Sequence, residues 1–120
     1  MTLEQITAYC LQKKEVSEHL PFDNHTLVYK VFNKMFLLVS LKKWEQGEFA
    51  INVKTDPEYS EELRSTYASI RPGYHMNKKH WNTLYLYDNE LTWQKVSSLI
   101  DHSYDMVKKT LPKYKQKLLE

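Results

Sequence analysis

Apolar residues recur first at helical spacing: Leu3, Ile6 and Cys10 share one face with Leu11 beside them, which predicts an amphipathic helix from about Leu3 to Lys14. Thr2 followed by Gln5 has the spacing of a capping box, and Lys13-Lys14 suit the negative end of the helix dipole. Residues 17–26 lose the pattern and include Pro21 and Asn24, so a connecting loop is expected there. From Leu27 to Leu41 (LVYKVFNKMFLLVSL) the chain is rich in β-branched and aromatic residues and breaks at Asn33-Lys34, which predicts a hairpin with a two-residue turn. On its second strand Leu37, Val39 and Leu41 fall on one face and Phe36, Leu38 and Ser40 on the other. Both faces are largely apolar, so a central strand is expected. Lys42–Glu48 (KKWEQGE) reads as a second turn. Within it Trp44 is either an exposed anchor or a lid folded over the core; the cost of leaving a large aromatic wet favours the lid. Phe49, Ile51 and Val53 then alternate with Ala50, Asn52 and Lys54, a third strand that completes an antiparallel meander.

Asp56-Pro57-Glu58 is a helix start, with Asp as N-cap and Pro at the first helical position, and Tyr59, Leu63 and Tyr67 follow on one face. That helix must end before Pro72. Pro72 fixes its own φ and Gly73 permits a positive one, so a sharp turn is expected at Arg71-Pro72-Gly73. Leu84 and Leu86 alternate with Thr83, Tyr85 and Tyr87 in a last strand. Thr92 caps a helix to about Thr110 that places Trp93, Val96, Leu99, Ile100, Ser103 and Val107 inward, and Pro112 stops it before a short basic tail. Helices segregated from a meander predict an α+β two-layer sandwich, an antiparallel sheet with helices packed on one face, as a single domain over residues 1–120.

Composition narrows the classes. The 42% hydrophobic and 13% aromatic content belongs to a globular chain. Cys10, the single cysteine, excludes an internal disulfide framework and any multi-cysteine metal site, and its place on the apolar face of the first helix makes it a core residue. No stretch approaches the roughly 20 apolar residues of a membrane helix, and the N-terminus lacks the pattern of a signal peptide. A reduced, cytoplasmic protein with no membrane association is therefore expected. A net charge of +2 implies no nucleic-acid partner by itself, but residues 1–62 carry seven Lys/Arg against ten Asp/Glu, and residues 63–120 carry ten against five. This asymmetry suggests a basic face, against the plain alternative of scattered solvated charges.

The segment Ile70–Leu86 (IRPGYHMNKKHWNTLYL) concentrates the candidate chemistry. From Leu63 to Tyr87 there are four Lys/Arg and no carboxylate. Arg71, Lys78 and Lys79 are candidates for phosphate contact, and His75 and Asn77 for hydrogen bonds to phosphate or base edges. Trp81 is a candidate for stacking on a base, although its position at a strand start favours core packing. Tyr74 and Met76 alternate with His75 and Asn77 as in a short edge strand or wing. On the residues alone, this wing and a merely solvated hairpin tip are equal readings. Catalysis is not expected: Asp101, His102, Ser103 and Asp105 are near neighbours on one helix, so their side chains diverge, and no phosphate loop or metal-ligand spacing occurs. His19, Asp23 and His25 lie in the polar loop without geometry to converge them, and His75 and His80 flank lysines that repel a cation, so neither a metal nor a cofactor is expected.

Pro72–Leu84 (PGYHMNKKHWNTL), together with Ser103-Tyr104, Leu111-Pro112-Lys113, Val53-Lys54, Asp56-Pro57-Glu58 and Leu63-Arg64, resembles the MmcQ/YjbR family of small bacterial proteins over essentially the whole chain. Trp44 and its charged turn correspond to no motif of that family. The resemblance implies an α+β fold of the CyaY-like kind and a DNA-binding role through a paired-wing surface, with no reaction attached. It tips the 71–81 segment toward DNA contact by a monomer or weak dimer. A protein-interaction module is the alternative, with Tyr29, Tyr85, Tyr87 and Trp44 presenting a sheet face or edge strand to a partner. Salt separates the two, because only phosphate contacts weaken steeply with ionic strength.

Overall fold

The computed structural model describes residues 1–120. Its elements run α1 (Leu3–Leu11), β1 (Val16–His19), β2 (Thr26–Val31), β3 (Lys34–Ser40), α2 (Leu41–Glu45), β4 (Ala50–Lys54), α3 (Pro57–Thr66), β5 (Ile70–Pro72), β6 (Trp81–Tyr85), α4 (Trp93–Lys108) and α5 (Lys113–Leu118). The strands form one antiparallel sheet in the order β1-β2-β3-β4-β6-β5, with helices on one side, as the α+β sandwich reading requires.

Local chemistry starts the helices where expected. The Thr2, Asp56 and Thr92 side chains accept the backbone N–H groups of Gln5, Tyr59 and Lys95, each three residues on, which satisfies donors that the first helical turn leaves open. Helix α4 buries Val96, Leu99, Ile100 and Val107 and presses them on the sheet with Leu27, Tyr29, Val31, Leu37, Val39, Ile51 and Val53. Its Ser103 hydroxyl accepts the Lys54 N–H at 2.8 Å and donates to the Phe36 carbonyl, bonding the helix directly to two strands.

Four local readings are corrected. Val16–His19 is a strand, not loop: as an edge strand it shows no apolar alternation, and it is held by its ladder to β2 and by the Tyr29 hydroxyl, which donates to Glu18 at 2.5 Å. The β2–β3 turn falls on Phe32-Asn33, because Lys34 already pairs with Val31, and Phe32 carries the positive φ of 54°. In β3 the alternation slips. Tyr29 faces Leu37 and Lys30 faces Met35, so Phe36 is the extra residue of a bulge and joins Leu37 on the helix side, edge-on to Tyr104 at 5.6 Å. The turn at Lys42–Glu48 contains the short helix α2, capped by Ser40. Trp44 folds back as the lid reading expects: its indole N–H donates to the Ala50 carbonyl at 2.9 Å and its ring packs on Phe49.

Candidate functional site

The sheet has a second, smaller apolar cluster on the face turned away from the main helices: Val28, Leu38 and Trp81, flanked by Met35 and Met76. Residues 73–80, which join β5 to β6, fold over this face. The turn does not use a positive φ at Gly73. What Gly73 provides is space: a Cβ there would stand 3.0 Å from the Trp81 Cβ and 3.2 Å from the Trp81 carbonyl oxygen, to which the Gly73 N–H donates at 2.9 Å. The left-handed residue is His75, at φ 59°. No edge strand forms over Tyr74–Asn77, because Asn77 turns the chain: its side chain accepts the Lys79 N–H at 3.0 Å and its carbonyl accepts the Trp81 N–H at 2.9 Å.

Arg64 holds the segment from α3. Its guanidinium donates to the Asn82 Oδ1 at 2.6 Å, to the Lys78 carbonyl at 2.6 Å and to the Trp81 carbonyl at 3.3 Å. Asn82 is fully buried, and its NH2 donates to Thr55 at 2.5 Å and to Ser60 at 2.9 Å. A buried amide with every group paired specifies one arrangement of the chain around it. Arg64 and Asn82 were absent from the sequence-derived site. Nothing local signals an arginine that reaches 18 residues along the chain.

The structure divides the six candidates. Lys78 and Lys79 are exposed and form no ion pair; the Lys78 ammonium donates to the Gly73 carbonyl at 3.2 Å. His75 is exposed, with its ring 4.0 Å from that of Tyr74. Asn77, although exposed, uses its carbonyl oxygens to shape the turn. Arg71 stands apart from the lysines, with its guanidinium over the Tyr85 ring at 5.1 Å and its Nε donating to Ala68. Asp88 lies within its field. That carboxyl is held below its ordinary range first by the Ser69 hydroxyl, then by the Glu90 N–H, with a smaller effect from Arg71. Trp81 is only 9% exposed and packs in the second cluster, so it is unavailable for stacking on a base. Tyr29 is likewise withdrawn from any partner surface, being buried in the main core.

A lysine that the sequence-derived site omits does approach. Lys43 of α2 places its ammonium 4.4 Å from the Tyr74 ring centroid. Between α2, the sheet and the 73–80 segment lies an open cavity of about 480 Å³, lined by His75, Lys43 and Asn52 among others.

Asp101, His102 and Ser103 diverge as their helical spacing requires. Asp101 takes Lys13 and the Tyr9 hydroxyl, His102 accepts the Asp56 N–H at 3.1 Å, and Ser103 is spent on the sheet. Cys10 is fully buried, and burial pushes its thiol up to about 12, far from the range of a nucleophile. No group of three or more His, Cys, Asp or Glu side chains stands close enough to hold a metal ion. No helix is long and apolar enough to cross a membrane.

The family model for YjbR matches residues 11–106. The chain belongs to the YjbR family. It is 34% identical to YjbR of Escherichia coli K12 over 119 residues, which covers 99% of this chain and 98% of that one. It is also 39% identical to YbdF of Escherichia coli O157:H7 over 97 residues, 81% of this chain and 76% of that one. Among solved structures, a Deinococcus radiodurans protein with a DUF419 domain superposes with a TM-score of 0.87 at 35% identity, covering 98% of this chain and 87% of its own. A Pseudomonas syringae protein gives a TM-score of 0.73 at 26% identity, covering 88% and 98%. These relatives carry the YjbR resemblance from the motif to the whole sandwich.

Proposed function

We propose that this YjbR-family chain is a non-enzymatic DNA-binding protein that meets the phosphates of duplex DNA with Lys78 and Lys79. One observation carries the reading: both ammonium groups stand exposed on a segment clamped by Arg64, and neither has a carboxylate partner. A cation already paired with a carboxylate in the free protein must give up that partner to bind a phosphate; Lys79 has no such bond to break, and Lys78 has only its contact with the Gly73 carbonyl. The clamp also keeps the ordering cost low, because the backbone that bears them is already fixed at the Lys78 carbonyl.

The contact set is smaller than the sequence suggests. Phosphates meet Lys78 and Lys79 with His75 beside them; Arg71 lies toward Tyr85, and Trp81 and Asn77 act inside the fold. Contacts of this kind position a protein on a duplex without reading bases. A partner chain added along β5 has less support, since that edge is three residues long and ends at Pro72, which offers no amide.

Titrating the intact protein into a labelled duplex of arbitrary sequence at low salt tests the reading. Lys78→Ala with Lys79→Ala is expected to weaken binding while leaving the melting temperature nearly unchanged. Equal binding by parent and variant removes the site, and no binding by the parent removes the function.

A further inference from the structure

The cavity between α2, the sheet and the 73–80 segment does not share its lining with Lys78 or Lys79, and its chemistry is of another kind. Its volume of about 480 Å³ falls within the range of small-molecule sites. Its apolar lining includes Met35, Leu38, Met76 and Phe22. Leu38 and Met76 belong to the cluster built on Trp81, so this wall is backed by packed side chains.

The polar groups of the lining offer spare donors. Asn52 sits in the middle of central strand β4. Its Oδ1 is taken by the Thr83 hydroxyl at 2.6 Å, which leaves its NH2 as two donors without a protein partner. The Ser40 oxygen accepts the Lys43 N–H at 3.4 Å, which leaves the Ser40 hydroxyl proton unengaged. Lys43 contributes an ammonium that forms no ion pair and lies over the Tyr74 ring, and His75 of the covering segment packs on the same ring. No Asp or Glu lines the cavity. An open cavity with an apolar wall, spare donors, a lysine and no carboxylate is complementary to a molecule with an apolar body and an acceptor-rich negative end.

We propose that this cavity binds a small apolar carboxylate, its body against Met35, Leu38 and Met76 and its carboxylate toward Lys43 and the Asn52 amide. Tyr74, its ring tilted against that of His75 and lying under the Lys43 ammonium, ties the covering segment to α2. The site shares His75 with the DNA reading, but its carboxylate would be held by Lys43 and Asn52, and neither Lys78 nor Lys79 lines it.

Two-dimensional NMR of the full chain titrated with 1-naphthylacetate, beside its uncharged analogue 1-naphthylacetamide, tests the proposal. Saturable shifts are expected at the Asn52 side-chain amide and at the Met35 and Met76 methyls, with a dissociation constant of about 1 mM or below. The amide analogue is expected to bind about tenfold more weakly, and Lys43→Ala to weaken the carboxylate by about tenfold without changing its effect on the amide. Met76→Trp, which fills the apolar side, is expected to abolish binding of both, whereas Lys78→Ala with Lys79→Ala leaves both unchanged. No shifts at about 10 mM probe, shifts centred elsewhere on the surface, or equal binding of acid and amide by the parent protein would each overturn it. These last readings use the unmodified chain, so they hold even if the tryptophan variant fails to fold.

Discussion

The Arg64 guanidinium and the Asn82 carboxamide meet at 2.6 Å, Nε donating to Oδ1, and this contact joins a helix to a fully buried polar cluster under the 73–80 segment. Removing the arginine strands the Asn82 and Lys78 carbonyl oxygens together. Arg64→Leu is therefore expected to lose about 1–3 kcal/mol in urea denaturation. It should also speed amide exchange at Trp81, whose carbonyl and neighbours Arg64 holds. Unchanged exchange there would mean that the clamp contributes nothing to the order of the segment.

Trp81→Ala removes a ring packed against Val28 and Leu38, and is expected to cost about 3–5 kcal/mol. A melting curve like the parent's would place the indole in solvent and restore it as a stacking surface.

Gly73→Ala puts a methyl 3.0 Å from the Trp81 Cβ and 3.2 Å from its carbonyl oxygen, a backbone atom bonded to the Gly73 N–H that cannot swing aside. A loss of about 1–3 kcal/mol is expected, measured as a shift in the urea midpoint at constant slope. Stability equal to the parent's would show that the segment yields at no cost.

His102 supplies a pH dependence. Burial, followed by the charge of Lys109, holds the imidazole below its ordinary 6.5, against the raising effects of Asp56 and Asp105, and its Nε2 accepts the Asp56 N–H as only the neutral ring can. The unfolded chain therefore takes up this proton first as pH falls. The contribution is fully present above the unfolded value near 6.5 and is lost as pH drops from there through the lower folded value. His102→Gln keeps an acceptor without the titration. The stability difference between parent and variant, followed from pH 7.5 to 5, should shift steadily against the parent; parallel profiles would remove His102 from the acid response.

Salt dependence tests the proposed DNA contact directly. If two phosphates are met by Lys78 and Lys79, the double alanine variant should show a slope of log affinity against log salt shallower by about two. Identical slopes would assign the electrostatics of binding to lysines elsewhere.

Much of the fold is legible in the chain because its signals are short-range. The caps at Thr2, Asp56 and Thr92 act over three residues. The apolar face of α4 needs only its own periodicity. The strand β1 escapes because an edge strand is recognised by its partner and not by its own alternation. The bulge at Phe36 escapes because a single extra residue in an all-apolar run leaves no mark on the pattern. The family motif is instructive in the same way. Gly73, Asn77, Trp81 and Asn82 within Pro72–Leu84 shape and anchor the segment, so the motif that reveals the family reports chiefly how this corner of the sandwich is built.

The three main helices with their caps, the central strands β2, β3 and β4, and a carboxylate-free basic stretch between Leu63 and Tyr87 were written in the chain, since each depends on residues within a few positions of one another. Folding alone settled that Arg71 parts from the lysines toward Tyr85, that Arg64 clamps the segment, and that Lys43, Asn52 and His75 come to share one cavity. The reason is distance along the chain: these groups lie on different strands, helices and turns, and only the register of the sheet and the packing of its second face bring them together.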